Sequence, residues 1–220
     1  MRKLMNLVLD LLFPPRCPFC STLLKEYEHD LCRRCRKELP WTRAGATIQR
    51  FRHVESCVSP LFYEGSVRES LLRFKFSGLY SYASAYAELM RQTLQESDLS
   101  FERITWVPVS EKRLKKRGYD QGKLLAEEIS RLTEKPCERL LIKTSDNPAQ
   151  SSLKSAEDRK KNVKGVYRPT DLASINGKEI LLVDDIATTG ATLNECARVL
   201  KQAGAKEVNA VTVARSRYDR

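Results

Sequence analysis

One stretch limits what this chain can become: residues 180–193, Ile-Leu-Leu-Val-Asp-Asp-Ile-Ala-Thr-Thr-Gly-Ala-Thr-Leu. Ile180, Leu181, Leu182 and Val183 form a continuous apolar run, the pattern of a short strand buried on both faces. Asp184 and Asp185 end the run, and a small-residue turn follows through Ala187, Thr188, Thr189, Gly190 and Ala191. Beyond Thr192, the residues Leu193, Cys196, Ala197, Val199 and Leu200 recur at helical spacing, and Gly204 reads as the helix stop. A strand, an acid pair, a compact turn and a helix start describe a ligand site in an open α/β sheet, where ligands lie beyond the carboxyl ends of the strands.

The chemistry of that site follows from the residue types. Thr188, Thr189 and Gly190 can present backbone N–H groups and hydroxyls to an anion at the helix N-terminus. Gly190 lets the backbone come close to it. Asp184 and Asp185 repel a phosphate, but they accept hydrogen bonds from vicinal hydroxyls or hold magnesium, directly or through water. An anion receptor beside a hydroxyl acceptor suits a sugar phosphate. A buried strand with a polar end would account for the acid pair alone, but not for Thr-Thr-Gly-Ala-Thr at this offset.

The stretch resembles the phosphoribosyl pyrophosphate loop of type I phosphoribosyltransferases. That resemblance implies that Asp184 and Asp185 are the catalytic acids on the ribose hydroxyls. It implies that Ala187, Thr188, Thr189, Gly190, Ala191 and Thr192 cradle the 5′-phosphate. The expected fold class is α/β, a phosphoribosyltransferase-like open parallel sheet with helices on both faces.

A chain of 220 residues has room for one medium domain and a small module. The module announces itself in two Cys-x-x-Cys knuckles, Cys17 with Cys20 and Cys32 with Cys35. Two knuckles complete a tetrahedron of thiolates, a strong signal for structural zinc. Seven cysteines, an odd number, and no convincing signal peptide point to reduced thiols in a cytosol, which weighs against disulfides. Arg2 and Lys3 precede an apolar stretch, but Asp10 interrupts it and no cleavage pattern follows. Leu4, Leu7, Val8, Leu11 and Leu12 fit one face of a short helix instead. No apolar run is long enough to span a bilayer, so no stable membrane insertion is expected. The domains expected are 1–52, the helix and zinc module, and 53–220. Arg33, Arg34, Arg36, Lys37 and Trp41 suit either a nucleic-acid backbone with stacked bases or a solvated face with Trp41 packed on the main domain. A net charge of +11 permits polyanionic ligands.

Between these ends the chain alternates. Residues 57–63 read as a strand with Pro60 marking an edge. Val67, Leu71, Leu72 and Phe74 mark one helical face, and Leu79, Ala83, Tyr86, Ala87, Met90 and Leu94 a second. Lys75, between Phe74 and Phe76, is either aimed at a site or exposed. Residues 104–109 read as a strand, and five of the six residues at 112–117 are basic. In the resembled fold this is the pyrophosphate loop, with Arg113 and Arg117 able to grip phosphate oxygens bidentately and Gly118 permitting close approach. A solvated basic turn is the alternative. A helix over about 120–132 follows, then a short strand at 140–142 and a last one at 208–213. The polar residues 143–164 are either a linker or, by the resemblance, a flexible loop that closes over the substrate and carries Gln150 and Arg159.

The whole order is Cys knuckles, Phe-Lys-Phe-Ser-Gly, Val-Pro-Val with Arg-Gly-Tyr-Asp-Gln, a Gln-to-Asn loop, and Asp-Asp-Ile-Ala-Thr-Thr-Gly. It is similar to the competence protein F family of the ComFC type over nearly the whole chain. Asp120 stands where that family usually has asparagine. The resemblance implies a protein that helps single-stranded DNA enter the cytosol in natural transformation, with a competence helicase as partner. It places the protein in the cytoplasm or at the inner face of the membrane, with phosphoribosyl pyrophosphate or a related sugar phosphate in the pocket. The alternative is an active, magnesium-dependent phosphoribosyltransferase of unknown acceptor, in which Arg113, Arg117 and Lys75 neutralise the leaving group.

Overall fold

The computed structural model describes residues 14–25, 28, 30–42, 48–147 and 162–217. The expected N-terminal helix, Gln150 and Arg159 lie outside them. In chain order the elements are α1 (Arg33–Glu38), β1 (Gln49–Phe51), β2 (Val54–Val58), β3 (Leu61–Phe62), α2 (Gly65–Phe76), α3 (Tyr82–Glu96), β4 (Arg103–Trp106), α4 (Glu111–Arg117), α5 (Gln121–Thr133), β5 (Leu141–Lys143), β6 (Tyr167–Pro169), β7 (Glu179–Ala187), α6 (Ala191–Gln202) and β8 (Glu207–Arg215).

The sheet is built on β7 and β8, parallel and in register from Glu179 opposite Glu207 to Ala187 opposite Arg215. Both strands are apolar on either face, as their burial requires. The strand order is β1-β2-β8-β7-β4, with β3 also on β8. All these pairings are parallel except β1 on β2. The sheet is therefore mixed, because the short turn at Arg52 and His53 leaves no room for a crossover. The β5–β6 pair stands apart as a second, antiparallel ribbon.

Alternation along β7 divides the interior. Leu181 and Val183 face a core shared with Val67, Leu71 and Phe74 of α2, Tyr86 and Met90 of α3, and Leu125 and Ile129 of α5. Ile180 and Leu182 face the other core, with Leu193, Cys196 and Leu200 of α6, Leu141 of β5 and Tyr167 of β6. Helices thus cover both faces.

Pro60 does not mark an edge. It breaks one strand into β2 and β3, both of which lie on β8. Its missing N–H costs nothing there, while its carbonyl accepts from Thr42 N at 2.9 Å. The cysteine segment shares the first core: Cys17, Phe19, Leu31, Cys32 and Cys35 pack within it. Phe19 meets Tyr86 edge-on at 5.7 Å, and Arg73 Nη2 donates to Pro18 O at 2.9 Å and Phe19 O at 3.2 Å. Residues 52 and 53, where the two expected domains meet, form the turn joining β1 to β2. Among the described residues no helix is long and apolar enough to cross a membrane.

Candidate functional site

The acid pair sits at the carboxyl end of β7, inside the strand rather than after it. Successive strand residues point to opposite faces, so the two carboxylates diverge. Asp185 takes the α2 side, where it is 7% exposed and its Oδ2 lies 2.7 Å from Lys75 Nζ. Asp184 takes the α6 side and stays partly exposed. Its Oδ1 accepts from Asp185 N at 2.8 Å. Burial, then the neighbouring Asp185 charge, holds the Asp184 carboxyl well above the usual carboxylate range, with Lys75 pulling the other way.

Beyond Ala187 the chain bends at 188–190 and enters α6 through Gly190, whose φ of +69° falls in the left-handed region. Asp184, Thr188, Thr189, Gly190, Ala191 and Thr192 line one shallow, open concavity. The first turn of α6 directs its unpaired amides and positive dipole end there. Ala191 N leans on Thr189 Oγ1 at 3.4 Å. Gly190 is also required sterically, since a Cβ there would lie 2.1 Å from Phe51 Cε1. Asn194 Oδ1 accepts from His53 N at 3.0 Å and so ties the β1–β2 turn to α6. This close backbone approach beside a carboxylate suits a phosphorylated sugar, and the carboxylate oxygens suit a hard cation such as magnesium.

The basic stretch is helix α4, not a loop. Ser110 Oγ accepts from Arg113 N at 3.4 Å as N-cap, and Gly118, φ +80°, closes the other end by donating to Leu114 O at 2.8 Å. Arg113 is engaged: its Nη2 donates to Asn147 O at 2.7 Å, and Asp146 lies 3.9 Å away. Ser110 also donates to Asp146. Arg117 stacks its guanidinium 5.0 Å from the Phe76 ring centre. Burial lowers its pKa and the Asp185 charge opposes that; Phe76, on which it stacks, directly follows Lys75, the partner of Asp185.

Three contributors come from outside the motif at 180–193. Lys75 reaches Asp185 across 110 positions, a distance no local pattern reports. Asp120 caps α5 at Lys123 N, 3.2 Å, and its other oxygen accepts from Val109 N at 3.2 Å and Trp106 Nε1 at 3.3 Å. An acid directly before a helical pattern is the signal that could have found it. Burial raises its pKa. Lys143 lies 5.7 Å from the Tyr167 ring centre. Burial first, then the Arg113 charge, pushes its pKa down to about 8.

The four cysteine sulfurs of Cys17, Cys20, Cys32 and Cys35 all lie within 4.8 Å of one another. Zinc–sulfur bonds of about 2.3 Å give a tetrahedron with edges of about 3.8 Å, so the residues fit a four-thiolate zinc site. Cys32 caps α1 and Cys35 sits within it. Trp41 takes the packed alternative: its Nε1 donates to Arg36 O at 3.0 Å and its half-buried ring packs against the core.

A family model described as phosphoribosyl transferase domain matches residues 119–220, and one described as double zinc ribbon domain matches residues 8–46. Competence protein ComFC of Bacillus subtilis is 31% identical over 203 residues, 91% of this chain and 78% of that protein. Competence protein F of Haemophilus influenzae is 27% identical over 91% of this chain and 97% of its own length. DNA utilization protein YhgH of Escherichia coli is 30% identical over 91% of this chain and 84% of its own length. Among solved structures, glutamine phosphoribosylpyrophosphate amidotransferase from B. subtilis, complexed with ADP and GMP, aligns with a TM-score of 0.44 at 22% identity, over 64% of this chain and 30% of that one.

Proposed function

Because the chain belongs to the ComFC-type competence protein family, with a phosphoribosyltransferase-like fold and a four-cysteine zinc-binding module, we propose that it handles incoming single-stranded DNA while holding a phosphorylated ribose at the end of β7. One observation carries the pocket: the Asp184 carboxylate and the N-terminal turn of α6 line the same concavity, against a glycine that admits no side chain. In this reading the amides and hydroxyls of 188–192 take the 5′-phosphate and Asp184 takes the ribose hydroxyls. Asp185, anchored by Lys75, completes the acid pair, and magnesium supplies charge neutralisation for a pyrophosphate group. Phosphoribosyl pyrophosphate is the ligand of choice. The net charge of +11 and the exposed cations of α4 support DNA handling, and a competence helicase in the cytoplasm is the matching protein partner.

Calorimetric titration of phosphoribosyl pyrophosphate with magnesium tests the pocket. Saturable 1:1 heat is expected from the wild type, with affinity at least tenfold weaker in Asp184→Asn. No heat from the wild type, or equal affinity in the variant, would reject it.

A second reading, an active phosphoribosyltransferase, draws on Lys75, paired with Asp185, and Arg117, stacked on the neighbouring Phe76, two cations that could neutralise a leaving pyrophosphate. Pyrophosphate release from bound ligand on addition of a base acceptor would favour it. Binding without release across the nucleobases would leave the pocket as a sensor.

A further inference from the structure

Two aromatic side chains project where α2 ends. Phe76 is 67% exposed and Tyr80 51%. Neighbouring exposed rings, unlike single ones, are the kind of surface that marks a binding site. Both rings are held in place. Phe76 rests on the Arg117 guanidinium at 5.0 Å. Tyr80 abuts Tyr119 edge-on at 4.5 Å, and Tyr119 OH in turn donates to Phe74 O. The Tyr80 hydroxyl also lies 3.9 Å from where a Gly118 Cβ would stand. The two rings therefore sit against consecutive residues, Arg117, Gly118 and Tyr119, at one corner of the molecule.

That corner is the end of α4, in which five of seven residues are basic. Arg113 is committed to Asn147, and Lys112 lies 3.8 Å from Asp146. Lys115 and Lys116 are exposed, with no carboxylate within ion-pair distance among the described residues. Leu114, 40% exposed, adds apolar surface beside them. On the inner side, Lys75 directly precedes Phe76 and holds Asp185 at 2.7 Å. The patch thus adjoins Asp185, on the sheet face opposite the concavity at Gly190.

Pinned aromatic rings at the end of a helix that also exposes two cations match the demands of a nucleic-acid single strand. Unpaired bases offer faces to stack, and the backbone offers one negative charge per nucleotide. A duplex cannot use such rings, because its bases already stack on one another. An acidic peptide would match the cations but leave both rings uncovered.

We propose that Phe76 and Tyr80 are stacking platforms for single-stranded DNA, with Lys115 and Lys116 on its phosphates, and that the strand runs toward the Lys75–Asp185 end of the sheet. This rests on the DNA-handling part of the function above and gives it a surface.

Fluorescence anisotropy with a labelled oligothymidylate tests it on the full-length, zinc-loaded protein. Phe76→Ala/Tyr80→Ala should weaken binding about tenfold or more, the range seen for loss of base stacking. Lys115→Gln/Lys116→Gln should lower the slope of log affinity against log salt by about 1.4, at roughly 0.7 for each single-strand phosphate lost. The lysine variant should bind phosphoribosyl pyrophosphate as the wild type does, which shows that it is folded. Wild-type binding of oligothymidylate with unchanged affinity in both variants would overturn the surface and leave the proposed function standing. Wild type that takes phosphoribosyl pyrophosphate but no DNA at low salt would overturn the DNA-handling function itself. A duplex, or an oligouridylate, bound tenfold more tightly than the DNA strand would overturn the choice of partner.

Discussion

Replacing Lys75 by methionine should unbalance the site in a pH-dependent way. Lys75 Nζ lies 2.7 Å from Asp185 Oδ2, with the two side chains 21% and 10% exposed. Removing one member of a buried pair costs about 3–5 kcal/mol, and the residual exposure here brings the expectation to about 2–3 kcal/mol. The same substitution removes the cation that offsets the upward push on the Asp184 carboxyl. A carboxyl whose folded pKa is raised favours the fold most below its unfolded value, about 3.9, and costs stability as pH climbs through the folded value. The penalty for Lys75→Met should therefore be larger at pH 8 than at pH 5, by about 1.4 kcal/mol for each pH unit by which the Asp184 pKa rises further. Urea denaturation of wild type and variant at both pH values measures it. Lys75→Met/Asp185→Asn should recover most of the loss at pH 8, because a neutral amide is far less costly to bury than an unpaired charge. A penalty equal at the two pH values, or below about 0.5 kcal/mol at pH 8, would refute the coupling between α2 and the acid pair.

Other substitutions probe separate parts of the account. Gly190→Ala places a side chain at φ +69° and 2.1 Å from Phe51 Cε1, so stability should fall by about 1–3 kcal/mol and phosphoribosyl pyrophosphate affinity with it. Adding Phe51→Ala should return the steric share and leave the backbone share, and a double-mutant cycle on urea midpoints separates the two. Cys32→Ser should abolish stoichiometric zinc by atomic absorption. It should also lower the melting temperature by about 10 °C, since the ligands sit in the core beside Phe19 and the metal contributes folding energy directly. Lys143→Met should stabilise the protein by about 1–2 kcal/mol at pH 7, because the charged ammonium is penalised in the fold and still partly screened by solvent. That gain should fade as pH rises through about 8 toward 10.5, where the wild type sheds its proton in the folded state first. An equal gain at pH 7 and pH 10 would contradict it.

What could be read without coordinates was local and periodic. The run at 180–183, the turn beyond it and the stop at Gly204 follow from spacing; α6 and its end lie where that spacing puts them, while β7 runs four residues further, to Ala187, and takes both acids into the strand. The apolar faces of α2 and α3 are likewise the buried ones. The basic stretch at 112–117 reads as a loop or turn by its charge density but folds as helix α4. Its Glu, Lys, Leu and Arg all favour helix, and Ser110 and Gly118 are proper caps. Pro60 misled because a strand may break at a proline and resume, rather than lie at an edge. What stayed hidden was long-range. Alternation alone divides Asp184 from Asp185, but only the fold shows that Lys75 waits on one face and the pocket opens on the other. Nor does a Cys-x-x-Cys pair reveal whether its module hangs free or joins the core, as Phe19 and Arg73 make it do.

The most direct measurement is a crystal structure of the protein with phosphoribosyl pyrophosphate and magnesium. The account predicts the 5′-phosphate against the amides of 188–192 and the ribose hydroxyls at Asp184. Density for the ligand on α4 alone, or an empty concavity beside Gly190 at saturating ligand, would contradict it.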